Sequence, residues 1–337
     1  MATDRVKVAV VSMSGQQASY APAFHENPKA EIVAVTEDDN PDAETVQKNR
    51  DGAEQFGVRY IEDLDDVLAM DDVQAVTMCG DPDDRAALTE RVASAGKHIL
   101  ADKPLTNTLA DGDAIIDSVE RHGIKMMVGH NSRFNPQVLQ TREALKAGEV
   151  GLPWSINSEM VIAAGKKAAD IGEVRNHVMY PLDTMLYLVP EKVRTVYCVS
   201  GAFFFDNAKE NGVEDLAFIT MNMDRGIIAS TSIGRTPHDH INGYGGDRTL
   251  EVLGTHGWIF LDHSRPSWRT YGKTGTRSLP FQANFLSDMV DHFLESIIND
   301  TTPMCSPQDA RDTLEITLAA LKSAETGVVV KLPFKEE

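Results

Sequence analysis

Apolar runs VKVAVV, AEIVAVT, VQAVTMCG, GKHILAD and IKMMVGH recur through the first third of the chain, bounded by turn residues and separated by helical stretches. Continuous apolar runs suit strands covered on both faces. Their alternation with helices predicts a parallel, doubly wound sheet. The strand ends at Ser12, Glu37, Gly80 and Asp102 then lie along one edge. Open sheets of this kind bind ligands outside the carboxyl ends of their strands. After about Asn135 the rhythm changes. The helix NPQVLQTREALKAGE is followed by WSINSEMVIAA and a helix around VMYPLDTMLYLV. Then come TVYCVSGAFFF, EDLAFITMNM, GIIASTSIG, RTLEVLGTHGWIFLDH and SWRTYG. Successive strands without intervening helices predict a largely antiparallel sheet, so an α/β domain is followed by an α+β one. Helices from Asn284 to Asn299 and from Gln308 to Thr326 close the chain. The expected division is 1–130 and 131–337.

Composition narrows the class without changing this outline. A chain of 337 residues has length for two domains, and 42% hydrophobic with 25% charged residues is ordinary globular composition. No run approaches the ~18 apolar residues of a membrane span. MATDRVKVAV enters a strand at once, without a signal segment. Cys79, Cys198 and Cys305 are far apart and form neither a disulfide framework nor a zinc motif. A cytoplasmic protein is expected. The net charge of −19 argues against nucleic-acid and acidic-membrane partners and reads as a solvated acidic surface.

Three stretches carry candidate chemistry. The run VKVAVVSMSGQQASYAPAF, Val6 to Phe24, reads as strand, tight turn and helix, the unit that cradles a dinucleotide. Its turn keeps one glycine, Gly15. Glu37 ends the second strand, 25 residues past Ser12, where such folds place the carboxylate that accepts the ribose hydroxyls. Asp38 and Asp39 follow it. A 2′-phosphate there would meet three carboxylates and no arginine, which favours NAD over NADP. GKHILADKPLTNT delivers Lys103 to the sheet edge, with Pro104 fixing the turn.

ADKP, the dinucleotide unit before it, the antiparallel half after it and VGHNSRFNP between them resemble the glucose–fructose oxidoreductase, inositol dehydrogenase and rhizopine-catabolism (Gfo/Idh/MocA) family. The resemblance spans essentially the whole chain, with Asp102 where the family's motif has Glu-Lys-Pro. It implies an N-terminal Rossmann domain binding NAD, and a C-terminal domain for substrate and oligomerisation. The Lys103 ammonium would then hydrogen-bond the reacting hydroxyl and lower the pKa of a nearby acid–base group.

In family register, Ser12, Ser14 and Gln17 stand at the three glycine positions. The two serines still let backbone approach a pyrophosphate, and side chains of Gln16 and Gln17 are expected to compensate for lost glycines. Candidate cofactor residues are Ser12, Met13, Ser14, Gly15, Gln16, Gln17, Glu37, Cys79, Gly80 and Lys103. GEVRNHVMYPLDTMLYLV is similar to the family's Asp-x-Gly-x-His-x-x-Asp helix, with Asn176 at the Asp, Tyr180 at the His and Asp183 matching. The proton acceptor is Tyr180 on register, with His177 as the rival. Asn176, Asp183, His238 and His240 are candidate substrate residues, and no metal site is expected.

The resulting reading is an NAD-dependent oxidoreductase acting on a secondary hydroxyl of a sugar, sugar derivative or cyclitol, assembled as a homodimer or homotetramer. Redox-assisted glycoside cleavage and a non-catalytic dinucleotide or sugar sensor are the alternatives.

Overall fold

A computed structural model describes residues 5–38, 41–163, 165–237, 246–262, 267–272, 275–280 and 285–336. The chain divides into two compact units: Met1–Phe134 with Asn284–Leu314, and Asn135–Ala283 with Glu315–Glu337.

The first unit is built on β1 (Val6–Val11), β2 (Ala30–Thr36), β3 (Arg59–Ile61), β4 (Ala75–Met78), β5 (His98–Ala101) and β6 (Met126–Val128). They form one sheet in the order β3-β2-β1-β4-β5-β6, with every pairing parallel. Between them run α1 (Gln17–Glu26), α2 (Ala43–Phe56), α3 (Leu64–Leu68), α4 (Arg85–Ser94) and α5 (Leu109–His122). The apolar runs are continuous because both faces are covered. On β1, Val6, Val8 and Val10 enter one core, whereas Ala9 and Val11 enter the other. Helix starts follow the local chemistry. Asp42 accepts from Thr45 N at the head of α2, and Thr108 from Asp111 N at the head of α5. Chain order reverses between β1 and β4, so their carboxyl ends open a crevice.

The second unit holds β7 (Pro153–Ile162), β8 (Val193–Gly201), β9 (Leu216–Met223), β10 (Ile228–Arg235), β11 (Gly246–Gly254), β12 (Gly257–Asp262), β13 (Ser267–Gly272), β14 (Gly275–Pro280) and β15 (Val330–Lys331). They make a sheet ordered β14-β13-β12-β11-β7-β10-β9-β8-β15. All its pairings are antiparallel except β10 with β7. Its helices are α6 (Pro136–Lys146), α7 (Glu173–His177), α8 (Met179–Leu188) and α9 (Asp206–Asn211). Within EDLAFITMNM and GIIASTSIG, β9 alternates from Leu216 to Met223 and β10 from Ile228 to Ile233. Ala217, Ile219 and Met221 are buried while Phe218, Thr220 and Asn222 face out. RTLEVLGTHGWIFLDH is two strands, β11 and β12, joined by a turn at Thr255–His256.

The closing helices are α10 (Phe285–Ile298) and α11 (Pro307–Thr326). A boundary at residue 130 assigns both to the second domain, but α10 packs with the first unit. Its Met289, Val290, Phe293 and Leu294 are buried in the core containing Phe24 and Val10. The rings of Phe24 and Phe293 meet edge to face at 6.3 Å. Sequence order gives no sign of this return, because a helix late in the chain reads the same whichever sheet it covers.

Candidate active site

In the first unit, β1 ends at Ser12, whose φ of +60° is the left-handed conformation that glycine adopts freely. Ser12 N donates to Thr36 O at 3.0 Å and its hydroxyl to Ser14 Oγ at 3.0 Å. Serine at a family glycine position thus keeps the glycine-like backbone, at a cost of roughly 1–2 kcal/mol. Gly15 also has positive φ, +54°, and a Cβ there would lie 3.1 Å from Cys79 O. Met13 N is held by Asn49 Oδ1 at 2.6 Å. Gln16 makes no side-chain cap, and at the head of α1 Gln17 N donates to Ser14 O at 3.0 Å and Ser19 N to Gln16 O at 2.8 Å. Gln17 is wholly buried and donates from Nε2 to Thr77 Oγ1 at 3.2 Å. Its amide therefore ties α1 to β4, which differs from the expected compensation toward a cofactor. Cys79 is a buried thiol beneath Gly15, with its pKa pushed up by burial.

Beside this loop lies a cavity of about 340 Å³, lined among others by Ser12, Ser14, Asp38, Thr45, Gly80 and Asp81. It opens at the crevice between β1 and β4. Glu37 does not line it: its carboxylate accepts from the hydroxyl of Tyr60, over whose ring Arg50 sits at 5.1 Å. Asp38 takes the cavity position instead, packed so closely on Gly80 that a Cβ there would be 2.6 Å from Asp38 Oδ2. Small residues, a glycine cradle and a carboxylate for hydroxyls fit NAD well.

Lys103 follows β5 at the same edge. Burial lowers its pKa, and the neighbouring Asp102 carboxylate opposes that shift. Asp102 accepts from the Tyr20 hydroxyl at 2.9 Å. Arg85, fully buried, donates to Asp102 O and to Gly80 O, both at 2.7 Å. It clamps the ends of β4 and β5 together and sets the turn bearing Lys103. Neither Arg85 nor Tyr20 was legible as a site residue, because each lies on a helix and acts through the fold.

In the second unit, the motif helix is broken in two at Val178. Pro181 has no N–H to give His177 O, so α7 stops and α8 begins. Glu173 is wholly buried. Its Oε2 lies 2.8 Å from His177 Nδ1, and its Oε1 accepts from Arg235 Nε at 2.7 Å and Ala169 N at 2.9 Å. Burial opposes its charge, but the bonds from His177 and Arg235 outweigh it and hold the carboxyl at about 2. The rings of His177 and Tyr180 are stacked, with centroids 6.4 Å apart. Asp183 is wholly buried. Glu214 accepts from Val174 N at 2.8 Å, and burial pushes its pKa up. Glu173 and Arg235 escaped the sequence reading. The Glu-x-x-x-His spacing was the available signal for the first, and nothing local marked the second. His238 and His240 lie outside the described residues. Among the described residues no group of His, Cys, Asp and Glu suits a metal ion, and no helix is long and apolar enough to cross a membrane.

A family model described as "Oxidoreductase family, NAD-binding Rossmann fold" (GFO_IDH_MocA) matches residues 6–130, and one for the GFO/IDH/MocA C-terminal domain matches 138–260. The chain is 26% identical to myo-inositol 2-dehydrogenase of Thermotoga maritima, over 84% of its own length and 87% of the relative's. It is also 26% identical to scyllo-inositol 2-dehydrogenase (NAD(+)) of Bacillus subtilis, covering 91% and 90%. Among solved structures, scyllo-inositol dehydrogenase from Lactobacillus casei with bound NAD(H) and scyllo-inositol superposes with a TM-score of 0.82 at 16% identity, over 97% and 99% of the two chains.

Proposed function

From a chain that belongs to the GFO/IDH/MocA family of NAD-binding oxidoreductases, we propose a dehydrogenase acting on a secondary hydroxyl of a sugar, sugar derivative or cyclitol. The observation that carries this reading is the edge of the parallel sheet. There the Ser12–Gly15 loop and the Asp38 cavity stand with Lys103, whose ammonium is partly desolvated. The inositol dehydrogenases among the relatives support the substrate class.

Ser12, Ser14, Gly15 and Gly80 would hold the dinucleotide by backbone approach, and Asp38, which lines the cavity, would accept ribose hydroxyls. Bound NAD would supply the hydride acceptor. Lys103 would hydrogen-bond the reacting hydroxyl. While it keeps its proton, the ammonium donates to the reacting oxygen and its positive charge stabilises a developing alkoxide. Asn176 and Asp183 remain proposed contacts for neighbouring hydroxyls.

The test is a thermal-shift and turnover screen of the purified protein with NAD, NADP and a panel of aldoses and inositols. NAD should raise the melting temperature, and at least one polyol should yield stoichiometric NADH. Turnover without net NADH would indicate redox-assisted cleavage instead. NAD binding without turnover of any polyol would favour a sensor.

A further inference from the structure

The dinucleotide loop keeps one glycine, yet its first residue, Ser12, holds the left-handed φ of +60°. A non-glycine residue stays in that region only where its surroundings over-determine it. Part of those surroundings lies on α2, outside the loop and its motif. Resting on the NAD binding of the proposed function and not on its substrate class, we infer that Asn49 is the positioning residue of the cofactor loop. It holds from α2 the backbone turn that glycines would adopt unaided.

Asp42, Thr45, Asn49 and Gly52 follow one another at three- and four-residue steps, so they share one face of α2. The first two line the cavity together with Ser12 and Ser14. One turn on, Asn49 Oδ1 accepts from Met13 N at 2.6 Å. One turn further, a Cβ at Gly52 would stand 2.8 Å from Met13 Cγ, so the Met13 side chain lies where any larger residue would reach. The residue after Ser12 is thus gripped by its amide and by its side chain. Ser12 is tied on the other flank, its N–H donating to Thr36 O at 3.0 Å.

The chemistry of Asn49 points to its oxygen. The residue is wholly buried, and Nδ2 has no hydrogen-bond partner among the described residues. A buried donor left unsatisfied is unfavourable, so packing alone does not account for an amide here. Met13 N–H can only donate, which puts Oδ1 and not Nδ2 against it. With Met13 N engaged, the loop donors left for a pyrophosphate are Ser14 N and Gly15 N. Neither bonds an acceptor among the described residues.

The experiment measures dissociation constants of NAD, ADP-ribose and adenosine by titration calorimetry on the full-length protein. Asn49→Leu removes one hydrogen bond and should weaken NAD and ADP-ribose by about 10-fold, leaving adenosine, which lacks a pyrophosphate, within about twofold. In a Ser12→Gly background the same substitution should cost less than about threefold, because glycine takes the left-handed turn without an anchor. Phe56→Leu, in the core at the far end of α2, should lower the melting temperature and leave NAD affinity unchanged. Equal weakening of NAD and adenosine would reduce Asn49 to a general contributor to stability. So would an undiminished loss in the Ser12→Gly background, or the same loss in Phe56→Leu. An Asn49→Leu protein that binds NAD as the wild type does would overturn the assignment outright.

Should Asn49→Leu fail to fold, amide hydrogen exchange on the wild type decides. Without NAD, Met13 N–H should exchange about 10-fold or more slower than the N–H groups of Ser14 and Gly15. Added NAD should slow those two more than Met13. Similar rates at all three positions would also overturn the assignment. A wild type that binds no NAD brings down the dinucleotide reading itself, which is distinct from a wild type that binds NAD with Asn49 dispensable.

Discussion

Lys103 stands in a setting that works against its own charge, since burial lowers its pKa and Asp102 only partly compensates. Its folded pKa lies below the unfolded value, so the native state binds fewer protons than the unfolded one. Stability should therefore rise with pH through the interval between the lowered pKa and about 10.5. Lys103→Met should leave the neutral-pH melting temperature unchanged or raise it, flatten that rise, and cut turnover about 100-fold or more. Melting curves and rates on the same preparations check both halves; full retention of turnover would make the lysine structural. Cofactor choice is also decided by single residues. The carboxylate of Glu37 is taken up by Tyr60, while Asp38 lines the cavity. Asp38→Ala should thus narrow the gap between NAD and NADP dissociation constants more than Glu37→Ala does. Equal effects would return the ribose role to Glu37. The acidic run TEDDN was visible in the sequence, but which of its members faces the cavity depends on Tyr60, 23 residues away.

Helix α7 shows how an element turns charges into stability. The Glu173 carboxyl sits at about 2 against an ordinary 4.5. Its folded pKa is depressed, so its contribution of about 3 kcal/mol is complete above pH 4.5 and is lost as pH falls toward 2. Glu173→Gln should be less stable at pH 6 and should lose less on acidification. Parallel denaturation curves for the two proteins would sink the claim. Glu214 runs in the opposite direction, because burial raises its pKa. Its charge costs stability at neutral pH, and Glu214→Gln should be neutral or stabilising there while keeping an oxygen for Val174 N. At this scale the sequence was readable where the signal was periodic. The apolar runs of β1, β2, β4, β5 and β6 and the helix Pro136–Lys146 stand where their patterns put them. Short elements escaped: β3 and β15 have three and two residues, too few for alternation to register. The motif helix was read as continuous because its spacing fits one. Pro181 was the warning, as its missing N–H ends α7 and leaves Glu173 and His177 on a separate turn.

On the whole molecule, the second unit's sheet leaves one face without cover from its own described helices. Along it stand Tyr197, Val199, Phe218, Ile228 and Leu253, with Phe218 and Ile228 each 56% exposed. Small polar residues such as Ser230 and Ser232 lie between them. Such a face suits a second copy of the chain, and light scattering at micromolar concentration should give a dimer or tetramer. Phe218→Asp with Val199→Asp should dissociate it, and a monomeric wild type would end the idea. The two-unit plan itself was legible from the switch between alternating and successive strands, but the return of α10 to the first unit was not. That return has a consequence for synthesis. While the ribosome makes Asn135–Ala283, the parallel sheet already exists as chain, yet the surface that Met289, Val290, Phe293 and Leu294 will cover is still bare. The nucleotide-binding unit is the first to be translated and cannot be the first to be finished. A nascent chain stalled before α10 should bind hydrophobic-surface dyes and holdase chaperones, and lose both once residues 284–314 emerge.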